Sequence, residues 1–98
     1  MAEEQAPTES ELLEQLEAEF RKLKVSDVLG QTVYTISSLG WRRLAQGEER
    51  NLEEARLAID AIKALLPVLR GELPEQAVRD FESVVANMQL AYVRAQGE

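Results

Sequence analysis

The chain has 98 residues, 45% of them hydrophobic and 30% charged, with 18 acidic against 11 basic side chains. That length holds one domain, and a lone core of this size buries only about 60–65% of the unfolded surface, so self-association is expected to complete it. Cys and His are both absent, which excludes disulfides, thiolate chemistry, the commonest metal ligand and the commonest neutral-pH acid–base group.

The net charge of −7 is concentrated at one end. Residues 1–19 carry seven Glu and no Lys or Arg, and residues 20–98 sum to zero. Phe20 to Gly47 is locally basic, with Arg21, Lys22, Lys24, Arg42 and Arg43 against Asp27. The acidic arm disfavours nucleic acid as a partner. Met1 to Thr8 has neither a basic nor an apolar run of the secretory kind. The longest apolar run, Ala64–Leu69, is too short to cross a bilayer and contains Pro67. No membrane partner is therefore expected, and the default location is the cytoplasm.

Residues 1–7 read as a disordered acidic leader. Thr8-Glu9-Ser10-Glu11 has the spacing of a capping box. Behind it Leu13, Leu16, Phe20 and Leu23 form one helical stripe. The acids lie toward the positive end of this helix and Arg21, Lys22 and Lys24 toward its negative end. Ser26 is the expected cap of a second helix, with Val25, Val28, Leu29, Val33, Ile36, Leu39 and Leu44 at near-helical spacing. Thr32–Ile36 is β-branched and aromatic, which favours strand. Helix is preferred because strict alternation fails and no turn residues bracket the run. Gly30, Ser37 and Gly40 would let another helix come close.

Asn51-Leu52-Glu53-Glu54 caps a third helix. Leu52, Ala55, Ile59, Ile62, Leu66 and Leu69 keep a 3-4-3-4-3 rhythm along it, and Pro67 should kink or end its last turn. Gly71 suits the stop that follows. Pro74 is placed in the first turn of a fourth helix. Val78, Phe81, Val85, Met88 and Tyr92 form its stripe, and residues 96–98 are expected to fray.

The fold class is thus all-α. It is a small array of about four helices within residues 8–95, with an antiparallel hairpin of the last two, completed by self-association.

Chemistry has little to work with. A serine nucleophile would need a base other than His, and only Lys22, Lys24 and Lys63 could supply an amine. The apolar stripes hold no inward Glu or Asp for a carboxylate metal site; pairs such as Arg56–Asp60 read as a solvated face. No catalytic residue, metal or cofactor is expected. Trp41-Arg42-Arg43 carries interface residue types. With Arg21, Lys22 and Lys24 it could make a basic face for an acidic partner or for the chain's own acidic arm. Tyr34, Tyr92, Phe20 and Phe81 could line a pocket for a small apolar ligand, although aromatics at helical spacing are more often core. Asn87 is read as a rim residue.

From Ser38 onward the chain resembles a family of small bacterial proteins catalogued as domain of unknown function 1844. The resemblance is carried by Leu39-Gly40, by Asn51-Leu52-Glu53-Glu54-Ala55-Arg56-Leu57-Ala58-Ile59-Asp60, by Gly71-Glu72-Leu73 and by Leu90-Ala91-Tyr92. It covers about two-thirds of the chain. Pro67-Val68-Leu69-Arg70 departs from the more polar stretch usual there, and Pro74 stands where a capping Thr is usual. The resemblance implies a helical domain and supplies no catalytic residue.

The expectation is a non-enzymatic protein–protein interaction module that self-associates, with a two-fold dimer favoured. Its interface candidates are Leu13, Leu16, Phe20, Leu23, Trp41, Arg42 and Arg43. The alternatives are a carrier of a small apolar ligand and a nucleic-acid or ribosome-associated accessory protein.

Overall fold

The computed structural model describes residues 6–98, so most of the expected leader lies outside the described residues. Helix α1 spans Glu9–Lys22 and starts at Thr8, whose Oγ1 accepts from the Glu11 amide at 3.1 Å. Its last turn carries Arg21 and Lys22 beside the free carbonyls, as the helix dipole favours.

Leu23 and Lys24 are extended, and α2 then runs from Val25 to Leu44. Ser26 is not its cap. The extended Lys24 holds that position, and its carbonyl already accepts from the amides of Asp27 and Val28. Ser26 therefore sits inside the first turn. The β-branched run 32–36 is helical, because packing overrides propensity there. Val33, Ser37, Gly40 and Leu44 are buried along one face, with Ile36 half-buried beside them. The Ser37 hydroxyl donates to the Val33 carbonyl at 2.8 Å, so nothing polar on that face is left without a partner.

Helix α3 covers Leu52–Leu69, and Asn51 Oδ1 accepts from the Glu54 amide at 3.1 Å. Pro67 does not end it. The proline is exposed, the carbonyl it cannot serve belongs to exposed Lys63, and Arg70 N–H still reaches the Leu66 carbonyl. Gly71 at φ +85° makes the stop, and the amides of Glu72 and Leu73 both donate to Leu69. Helix α4 spans Glu75–Gln96; Pro74 is the residue before it and not part of its first turn.

The core lies among α2, α3 and α4. Val33, Ile62, Leu69 and Met88 are its most deeply buried large side chains. Leu44, Ile59, Leu66, Val78 and Val85 surround them. The α2 approach depends on Gly40. A Cβ built there would stand 2.9 Å from Ala58 Cβ and closer still to Met88 Cε. Only a residue without a side chain lets α2 come that near both neighbours.

Helix α4 ends at Gln96, with Gly97 and Glu98 beyond it. Ala95 is buried, and Glu98 accepts from Arg50 Nη1 and from Gln46 Nε2. Arg70, just past α3, places its Nη2 3.4 Å from Glu82 Oε2 on α4. Helix α1 is excluded from the core: none of its residues packs against α2, α3 or α4. The radius of gyration is accordingly 18.7 Å, against about 13 Å for a compact chain of this length.

Replacing Gly40 by Ala should therefore destabilise the three-helix core, by up to about 2 kcal/mol. The overpacking penalty of about 1–3 kcal/mol exceeds the propensity gain of about 1 kcal/mol. Urea unfolding checks this; an unchanged or raised midpoint would mean that α2 can withdraw from Ala58 at no cost.

Candidate functional site

The feature that stands out is apolar surface left uncovered. Leu12, Leu13, Leu16, Phe20 and Leu23 are all exposed, Phe20 at 77%. A helix of 14 residues is marginal in water even with good propensity, and most helical stability in proteins comes from burying such a face. Among the described residues helix α1 packs against no other helix.

A second uncovered strip runs along α2. Val28, Thr32, Thr35 and Leu39 recur at spacings of 4, 3 and 4 and are all exposed. Val25, Val28 and Leu39, which belong to the near-helical apolar stripe, are exposed. The buried face actually follows Val33, Ser37, Gly40 and Leu44, because the small residues admit α3 and α4 there. Two grooves mark the strip. One is lined by Leu23, Asp27, Val28, Gln31, Thr32, Thr35 and Ile36. The other, of about 740 Å³, has an apolar floor of Ile36, Leu39, Gly40, Leu57, Ala58 and Ala61. Its rim is charged and includes Arg43, Glu49, Arg50 and Glu54.

Trp41, Arg42 and Arg43 diverge, since consecutive helical residues point in different directions. Trp41 is exposed at the edge of the body and is not among the core residues. Arg42 forks onto Glu49, its Nε and Nη2 donating at 3.0 and 2.8 Å. These bonds, with the charge attraction behind them, hold the Glu49 carboxyl below its ordinary range and raise the guanidinium. Arg43 is half-buried and faces the larger groove. A single basic face of these residues with Arg21, Lys22 and Lys24 is not assembled. Lys24 precedes α2 and Arg42 ends it, which separates them by about 27 Å at 1.5 Å per residue. Arg21 and Lys22 stay on α1, away from the body.

The aromatic pocket is not formed either. Phe20 and Tyr34 are exposed, while Phe81 and Tyr92 are half-buried against the core. None of the four lines either groove along α2. Asn87 is exposed, as a rim residue should be. Arg56 and Asp60 approach to 3.9 Å on the solvated face of α3. Among the described residues no three carboxylates are grouped to hold a metal ion.

Arg50 is the residue that sequence reading missed. Its Nε and Nη2 donate to the Leu44 carbonyl, an orphan acceptor at the end of α2, at 3.2 and 2.9 Å. Its Nη1 reaches Glu98 at the end of α4. One side chain thus joins the end of α2, the start of α3 and the end of α4. No signal announced it, because its partners are a backbone carbonyl and a residue 48 positions away.

Compared with known protein families, curated proteins and solved structures, the chain matches none. No helix of the described residues is long and apolar enough to cross a membrane.

The hydrogen bond from Arg50, and then that from Gln46, holds the Glu98 carboxyl below its ordinary value of 4.5. A carboxylate lowered in the folded state adds stability above its unfolded pKa and loses it as pH falls through the lowered value. Glu98→Gln should lower Tm at pH 7, and the gap to the parent should close below the carboxylate range. Melting curves across pH test this; a gap that persists in acid would assign the effect to packing. A peptide covering residues 7–24 should be mostly coil in dilute buffer by circular dichroism, whereas a stable helix would show that α1 needs no partner.

Proposed function

We propose that the chain is a non-enzymatic interaction module that assembles with a second copy of itself through α1. The observation that carries this reading is the stripe Leu13, Leu16, Phe20 and Leu23, exposed along a helix that packs against no other helix of the described residues. Contiguous apolar surface of this kind marks an interaction site, and a two-fold pairing covers the same stripe on both partners at once. The resemblance of residues from Ser38 onward to domain of unknown function 1844 fits this reading, since it brings no catalytic residue. The proposed setting is the cytoplasm.

A second reading draws on the groove over Ile36, Leu39, Leu57 and Ala61, which has the size of a small-ligand site. In that case a small apolar molecule would be held on the outer side of α2 and α3. It would appear as an adduct in native mass spectra. The nucleic-acid reading finds less support, because the basic residues are separated along α2 and Arg42 is occupied by Glu49.

Native mass spectrometry and light scattering on Leu16→Glu/Phe20→Glu provide the test. Each side chain should be worth about 1.5 kcal/mol or more when buried, so the pair should raise the dimer dissociation constant at least about a hundredfold. The helical signal of α2–α4 should persist. A parent that is monomeric at high concentration, or a variant of unchanged mass, would overturn the proposal.

A further inference from the structure

Resting on that self-association, we propose that the occupant of the trough along α2 is α1 of the second copy, exchanged reciprocally between the two chains. Ile36 lines both grooves, so the two join into one trough from Leu23 past Val28, Thr32 and Leu39 to Leu57. A helix of 14 residues is about 21 Å long, and Val28 to Leu39 spans about 17 Å. The occupant therefore fits the trough end to end.

Charge at the start of α2 favours one direction. When α1 runs antiparallel to the α2 it covers, its Arg21 and Lys22 lie toward Asp27. The parallel direction would set Glu9 and Glu11 against Asp27. At the other end Arg43 shares the groove with Glu48, Glu49 and Glu54, so the charge there is mixed and decides nothing.

Area argues against simple pairing of α1 with its copy. A helix contact about 21 Å by 10 Å covers about 400 Å² counting both partners, well short of the roughly 1,000 Å² that a specific interface needs. Exchange makes two such contacts and adds the crossover at Leu23. It also covers Val28, Thr32 and Leu39, which α1–α1 pairing leaves wet. The extended Leu23 and Lys24 already carry α1 clear of its own α2, as the hinge of an exchanged dimer must.

The absence of cysteine makes the test clean. In the antiparallel register that starts at Leu23, Leu16 lies over Thr32 of the other copy, and both positions are exposed in the single chain. Leu16→Cys and Thr32→Cys chains are prepared separately, mixed, equilibrated and oxidised without denaturant. Exchange predicts a disulfide joining one chain of each kind, at least about tenfold over like-with-like products. Predominant Leu16→Cys homodimers, with the native dimer mass retained, would overturn the exchange and leave self-association standing. Ring closure within a monomeric Leu16→Cys/Thr32→Cys chain would place α1 on its own α2 and overturn both.

Discussion

The architecture turns on the contact between Gly40, Ala58 and Met88. At that point three helices meet at a separation no side chain on α2 could tolerate. Once Gly40 is inside, the 3.6-residue period places Val33, Ser37 and Leu44 inside with it. The same rotation sends Val28, Thr32, Thr35 and Leu39 outward. The exposed trough is thus the necessary other side of a close helix crossing.

The molecule divides its labour accordingly. Three helices close a core around Ile62, Leu69 and Met88. Arg50 then ties their ends by satisfying a carbonyl that the end of α2 would otherwise leave bare. Helix α1 adds nothing to that core and carries the most exposed large apolar side chain among the described residues, Phe20 at 77%. A chain of this length thus keeps part of its apolar surface in reserve, and the surface kept is amphipathic and graded in charge along its axis. In the proposed assembly that gradation would give association a direction as well as a driving force.

Much of the fold was legible because local signals agreed. Thr8 and Asn51 cap as their spacing implies, and Gly71 supplies the left-handed stop. The rhythm from Ala55 to Leu69 is buried throughout. The misses have physical causes. Ser26 lost the cap because the chain was already extended at Lys24. Ser37 and Gly40 admit a neighbouring helix as their smallness implies, whereas Gly30, named with them, stays on the edge. The Arg50–Glu98 ion pair spans 48 residues, which no local pattern can reveal. Trp41, Arg42 and Arg43 are adjacent in sequence and face three ways in space, so a cluster in the chain was not a cluster on the surface.

Because α1 shares no contact with the body, its backbone protection is set independently of the core in any one chain. Amides around Ile62 and Leu69 should exchange with solvent hydrogen only when the three-helix unit opens as a whole. Amides of Leu13 to Phe20 would follow the local helix–coil equilibrium of a short segment and exchange many orders of magnitude faster. Two cooperative units of very different lifetime therefore coexist in one 98-residue chain. Their lifetimes can converge only when something outside the chain covers α1.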